Sequence, residues 1–170
     1  NERYKGKAPD LRRIVYRIVA EPNIALQMVK KGELDVMSVR AIQWVRQTNS
    51  EKFKEGFYKL QYYLPTYNYI GWNAARPLFA DRRVRLAMTH LINREAILDK
   101  LLFGIGEIVT GSSYIHSKGY DRSIEPWPFD PARARALLAE AGWRDTDGDG
   151  ILDKGGKRFS FTFTIPSGSK

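Results

Sequence analysis

Apolar residues recur at helical spacing through much of this chain, and each helical series has start and stop signals. Val84, Ala87, Met88, Leu91 and Ile92 form an i, i+3, i+4, i+7, i+8 series behind Asp81, a good N-cap. Asn93 is placed to cap a second helix carrying Ile97, Leu98, Leu101 and Leu102, which stops at Gly104. Asp130 and Pro131 open a third, with Ala134, Leu137, Leu138 and Ala141 on one face and Gly142 at its end. Nearer the start, Pro22 opens a helix that Gly32 closes, with Ile24, Ala25, Met28 and Val29 as its buried stripe.

Other segments carry the period of a strand. Leu11–Val19 is β-branched, and Leu34–Val39 returns to extended structure after the Pro22 helix. That order predicts a β-α-β unit and a mixed or parallel sheet, hence an α/β fold with flanking helices. Asn49–Gly56 is charged and reads as a short helix or loop. Phe57–Tyr63 and Tyr67–Trp72 read as extended, interrupted by Pro65. Residues 73–81 form a connector around Pro77, so the domain boundary is placed between 1–73 and 74–170. Gly106–Trp127 is a long irregular segment, of the kind that carries function or wraps a larger body. In Arg158–Ile165, Phe159, Phe161, Phe163 and Ile165 alternate with Ser160, Thr162 and Thr164, the pattern of a half-buried strand whose pairing partner is not apparent.

Composition narrows the chemistry. No cysteine is present, which excludes disulfides, thiol catalysis and cysteine-type zinc sites. The two histidines, His90 and His116, are too few for a site built on several imidazoles. No apolar run approaches the roughly 18–20 residues that span a bilayer, so no direct membrane insertion is expected, and the opening residues carry no apolar leader core. The net charge of +9 raises a basic module binding nucleic acid or another acidic polymer as an alternative. The arginines are interleaved with apolar helix positions, however. Arg82, Arg83 and Arg85 flank Val84 and Ala87, as on a solvated helix face.

Two constellations stand out. Asp145, Asp147 and Asp149 precede Gly150, like the front half of a calcium loop, with the Ile151 carbonyl and Asp153 as further oxygen ligands. The bidentate glutamate expected at the twelfth position is replaced by Gly156. The competing reading is a plain Asp/Gly-rich turn. The second constellation is Thr66-Tyr67-Asn68-Tyr69-Ile70-Gly71-Trp72-Asn73, at the predicted boundary. Tyr67 and Tyr69 share one side of an extended segment, and ligand clefts are lined by aromatics with a few polar groups. An ordinary strand with a tyrosine-rich face is the alternative.

Catalytic readings find no support. Ser112 and Ser113 lack a nucleophile-elbow context, and the Gly104–Gly106 pair follows a helix where a phosphate loop follows a strand. Glu33 and Asp35 belong to a helix-to-strand turn.

Four pieces together resemble the extracellular solute-binding proteins that serve peptide, dipeptide and nickel ABC importers. They are KGELDVM at Lys31–Met37, TYNYIGWNAARPLFADRRVRLAMTHLINREAIL at Thr66–Leu98, FDPARARALLAEAGW at Phe129–Trp143, and DTDGDGILDKGGKRFSFTF at Asp145–Phe163. The likeness covers nearly the whole chain. It implies part of a two-lobe periplasmic-binding-protein fold, an interior segment of a longer chain that crosses the hinge near residues 69–73. It implies no catalysis. A peptide or related small solute would be trapped between lobes and delivered to a membrane permease outside the cytoplasm, in the periplasm or cell envelope. Under that resemblance Tyr67, Asn68, Tyr69, Trp72 and Asn73 border the ligand, with Val36 and Met37 near it. No cofactor is required, and calcium at the acidic turn would only stabilise.

Overall fold

The computed structural model describes residue 6 and residues 10–165. The chain divides into two compact units, Asn1–Phe57 and Tyr58–Lys170.

The first unit is built on three helices, α1 (Pro22–Lys30), α2 (Ala41–Arg46) and α3 (Glu51–Gly56). Pro22 suits the first turn of α1 because its missing N–H has no partner there anyway. The helix ends in a Schellman motif: Gly32 takes φ 75°, its N–H donates to the Val29 carbonyl at 2.9 Å, and Glu33 N–H donates to that of Met28 at 2.8 Å. Ala25, Leu26, Met28 and Val29 are buried, whereas Ile24 is exposed, so the stripe lies one position over from the expected one. The helix α2 was not legible from apolar period alone. Its anchor is Gln43, which is 1% exposed. Gln43 Oε1 accepts from Arg40 N–H at 3.1 Å while Nε2 donates to the Pro22 carbonyl at 3.0 Å and to Asn23 Oδ1 at 3.2 Å. A buried amide thus satisfies the start of α2 and ties it to the start of α1. Ser50 caps α3, and Phe53 stacks on Phe57 at 4.5 Å between ring centroids.

The second unit contains α4 (Pro77–Ala80), α5 (Arg82–His90), α6 (Arg94–Lys100), α7 (Pro131–Glu140), β1 (Asp153–Lys154) and β2 (Lys157–Arg158). The caps fall where side-chain chemistry places them. Asp81 Oδ1 accepts from Arg83 N–H at 2.8 Å, Asn93 Oδ1 from Ala96 N–H at 2.8 Å and Asp130 Oδ1 from Arg133 N–H at 2.8 Å. Gly142, at φ 87°, closes α7 with the same double bond pattern that closes α1. α5 packs on α7. Their shared core holds Phe79, Val84, Ala87, Ala134, Leu137, Leu138 and Ala141, with Trp72, Trp143, Leu152 and Phe159 packed against it.

β1 and β2 form an antiparallel hairpin, pairing Asp153 with Arg158 and Lys154 with Lys157. Gly155 and Gly156 make the two-residue turn, both at positive φ (57° and 71°), a geometry that glycine adopts without steric cost. Gly156 therefore has a structural duty there, unrelated to the twelfth position of a calcium loop.

The expected strands Leu11–Val19, Leu34–Val39, Phe57–Tyr63 and Tyr67–Trp72 do not form ladders among the described residues, nor does the Arg158–Ile165 strand beyond Arg158. The β-α-β unit is correspondingly not formed there. A strand is held by hydrogen bonds to a neighbour, and alternation by itself supplies none. Tyr16, Ile18, Tyr58 and Phe163 are accordingly exposed. Beyond Lys100, the predicted second helix gives way to turns.

The Asp81 cap is also an ion pair, with Oδ2 2.7 Å from Arg83 Nη2. Hydrogen bonds from the Arg83 side chain and backbone hold the Asp81 carboxyl down at about 2, against its ordinary 3.8. A carboxyl depressed in the folded state stabilises fully above its unfolded value and loses that contribution as pH falls through its folded value. Asp81→Ala is expected to cost about 1 kcal/mol at neutral pH, and Asp81→Asn less, since asparagine still caps. In thermal unfolding of the intact protein, the gap between wild type and Asp81→Ala should close as pH drops from about 4 to about 2. A gap that stays constant over that window would contradict the pairing.

Candidate functional site

The long irregular segment after α6 folds back toward the Gln61–Ile70 segment, and the two line a half-open cavity of about 930 Å³ within the second unit. That size is at the upper end of small-ligand clefts, roughly 300–1,000 Å³. Tyr67, Asn68, Tyr69 and Trp72 all line it. The Tyr67 and Tyr69 rings lie on one side, 5.7 Å apart, as the alternation predicts. Trp72 has a second duty, packing on Phe79 at 5.3 Å and edge-on to Phe161 at 6.1 Å. The floor is apolar. Ile97, Leu98 and Leu102 of the α6 region, from the apolar series of the predicted second helix, line this cavity.

The remaining predicted residues sit elsewhere. Asn73 is not among the lining residues: its Oδ1 accepts from Ala75 N–H at 3.0 Å, an Asx turn leading into α4. Val36 and Met37 belong to the first unit, between α1 and α2, with Val36 exposed and Met37 half-buried.

Sequence reading missed the polar knot on the cavity wall. Tyr63 Oη donates to Glu107 Oε1 at 2.8 Å, across 44 positions of chain. Tyr114 Oη donates to the Tyr63 carbonyl at 3.3 Å. The His116 ring meets both tyrosines edge-on, 5.1 Å from Tyr63 and 5.3 Å from Tyr114. Tyr63, Glu107 and Tyr114 all line the cavity. The bond to Glu107 raises the Tyr63 phenol above its ordinary 10.0, because losing that proton would set two anions side by side. The only signal of this knot in the sequence is the length of the irregular segment itself.

His90 has a structural role. It is buried, and its Nδ1 lies 2.8 Å from the Pro128 carbonyl. A carbonyl only accepts, so Nδ1 carries the proton. Trp127 packs edge-on to the ring at 5.6 Å, which fixes the end of the long segment to α5.

The acidic turn gathers Asp145, Asp147 and Asp149 with carboxylate oxygens within 4.8 Å of one another, all exposed. Each carboxylate already has partners. Asp145 accepts from Gly148 N–H (2.7 Å) and Gly150 N–H (2.9 Å), Asp147 from Asp149 N–H (3.2 Å), and Asp149 from Ile151 N–H (2.8 Å) and Arg158 (2.5 Å). Asp153 is turned to Thr146, accepting from its N–H at 3.0 Å and its hydroxyl at 2.7 Å. The Ile151 N–H closes this turn, and the three side chains that gather are those of Asp145, Asp147 and Asp149.

Several arginines are spent on carbonyls within the second unit. Arg85 donates to those of Phe79 and Ala80, Arg83 to that of Glu140, and Arg94 to that of Trp127. No described helix is long and apolar enough to cross a membrane.

Residues 1–170 match the sequence profile of the bacterial extracellular solute-binding proteins, family 5 (middle). The chain belongs to that family. The family 5 segment is 36% identical to the oligopeptide-binding protein AppA of Bacillus subtilis over 172 aligned residues, covering the whole chain and 31% of AppA. The crystal structure of AppA in complex with a nonapeptide superposes with a TM-score of 0.61 at 35% identity, over 85% of this chain and 28% of that one. NikA from Brucella suis, crystallised with Fe(III)-EDTA, shares the fold at TM-score 0.67 and 21% identity, over 91% of this chain and 31% of its own. The fold is therefore part of the two-lobe α/β solute-binding architecture, as the four sequence pieces imply. The chain spans about a third of the length of these relatives.

The Tyr63–Glu107 bond gives a direct check. With 13C-labelled tyrosine in the intact protein, one tyrosine should titrate above the usual value of about 10. Glu107→Gln should bring that resonance back down. A Tyr63 titration unchanged by the substitution would contradict the hydrogen bond.

Proposed function

We propose that this family 5 segment is part of the substrate-binding component of an ABC importer. The component captures peptides between two lobes and delivers them to a membrane permease from the periplasm or the cell-envelope exterior. The observation that carries this reading is the whole-chain identity with AppA, an oligopeptide-binding protein crystallised with a nonapeptide. The cavity fits it: two adjacent tyrosines, an asparagine and a tryptophan stand over an apolar floor. Tyrosine and tryptophan supply large contact area with a polar handle, suited to a ligand of variable side chains. Main-chain hydrogen bonds to an extended peptide would supply the sequence-tolerant part of the affinity. The hinge would pass near residues 69–73. Binding and release by lobe closure require no bond-breaking group, so the reading is non-enzymatic.

A basic module for nucleic acid is the weaker reading. Phosphate binding needs arginines presented to solvent, and Arg83, Arg85 and Arg94 are engaged with carbonyls of their own unit. Calcium, if bound at Asp145, Asp147 and Asp149, would stabilise the turn and stay apart from capture. Stripping it with a chelator should leave peptide affinity unchanged in calorimetry, and a large loss would give the turn a role in capture.

Native mass spectrometry of the intact protein from its own cell envelope tests the main reading. A retained mass that fragments as amino acids is expected. Tyr67→Ala and Tyr69→Ala should each weaken peptide binding by about tenfold, the loss of roughly 1.4 kcal/mol of ring contact. A ligand-free protein whose mass stays unshifted with peptide mixtures would overturn it.

A further inference from the structure

We propose that Glu107 is a specificity-determining residue that selects peptides carrying a lysine or arginine side chain. This rests on the peptide-capture reading above and narrows it to a substrate class.

Among the described residues, the charged side chains lining the cavity are Glu107 and Arg94. They differ in what already engages them. Arg94 donates to the Trp127 carbonyl. Glu107 makes no ion pair among the described residues; its Oε1 accepts from the Tyr63 hydroxyl. A carboxylate accepts at several lone-pair positions, so one tyrosine bond leaves most of its capacity for a ligand donor. That bond also orients the group. Tyr63 is itself held by the Tyr114 hydroxyl on its carbonyl and by the edge of His116, so the carboxylate is aimed before a ligand arrives.

The surroundings suit a long cationic side chain better than a bare amine. Ile97, Leu98, Leu102 and Ile108 line the same cavity and can cover a methylene stem while the charged head meets Glu107. Tyrosine ring faces nearby on the wall also attract a cation. This segment carries a net charge of +9, which repels cations, so within it a preference for basic peptides rests on a local carboxylate. Glu107 is exposed, so water screens the contact and the preference should be moderate and sensitive to salt.

The test is a ratio of affinities measured on the intact protein. Nonapeptides of neutral background carry lysine, or its uncharged isostere norleucine, at one position scanned along the chain. At the position facing Glu107, lysine should bind about tenfold more tightly than norleucine in low salt, the worth of one charge-assisted hydrogen bond. Added sodium chloride should narrow the ratio. Glu107→Gln should bring it close to one, and Glu107→Lys should reverse it in favour of a glutamate peptide. A ratio near one at every position of the wild-type protein overturns the proposal without any variant having to fold. So does a ratio that survives Glu107→Gln. Peptides that bind equally well with either residue overturn only this specificity. A protein that binds no peptide overturns the capture reading and this inference with it.

Discussion

The packing of α5 on α7 is the constraint from which the second unit is organised. Val84, Ala87 and Ala134 have no solvent exposure, and Leu137 only 3%. Alanines at the contact let two short helices approach closely, and the larger Val84, Leu137 and Leu138 fill what remains. Neither helix is long enough to be stable alone, so each exists because the other covers its apolar face. Polar bonds then fasten surrounding elements to this pair. Arg83 reaches the Glu140 carbonyl at 2.7 Å, and Lys154 of the hairpin reaches that of Ala141 at 2.6 Å. His90 holds the Trp127–Pro128 end of the long segment.

The cavity depends on that frame while having little regular structure of its own. Thr89 comes from α5, which the core holds, Ile97 and Leu98 come from α6, and the opposite walls come from the Gln61–Ile70 segment and the loop after α6. Such walls are positioned by side chains, here Tyr63 on Glu107, Tyr114 on the Tyr63 carbonyl and Arg122 on that of Ile115. Loops held by a rigid scaffold are where binding groups concentrate, because their side chains are not consumed by core packing.

What the sequence disclosed follows the range of the interactions involved. Asp81, Asn93 and Asp130 act on amides two or three residues away, and Gly32 and Gly142 terminate their helices locally, so these ends were readable. The helix α2 depends on Gln43 reaching Pro22, 21 positions earlier, and was missed. The Gly155–Gly156 hairpin was readable in principle, but the alternating aspartates before it drew those residues into a calcium pattern. Strand alternation did not bring burial with it: Phe161, Phe163 and Ile165 stand exposed, because alternation cannot supply the neighbouring strand that a ladder needs. The tyrosine pair over the cavity was legible because Tyr67 and Tyr69 are two apart; Glu107 was not, since nothing local links it to Tyr63. Family membership was legible because four separated pieces recur in order along the chain.

Hydrogen–deuterium exchange on the intact protein, with and without a bound peptide, is the most direct measurement of the central claim that this cavity receives the ligand. Peptide should slow exchange in residues 61–72 and 106–115 together, while α5 and α7 exchange slowly in both states. Protection confined to other parts of the protein, with these two segments unchanged, would contradict it.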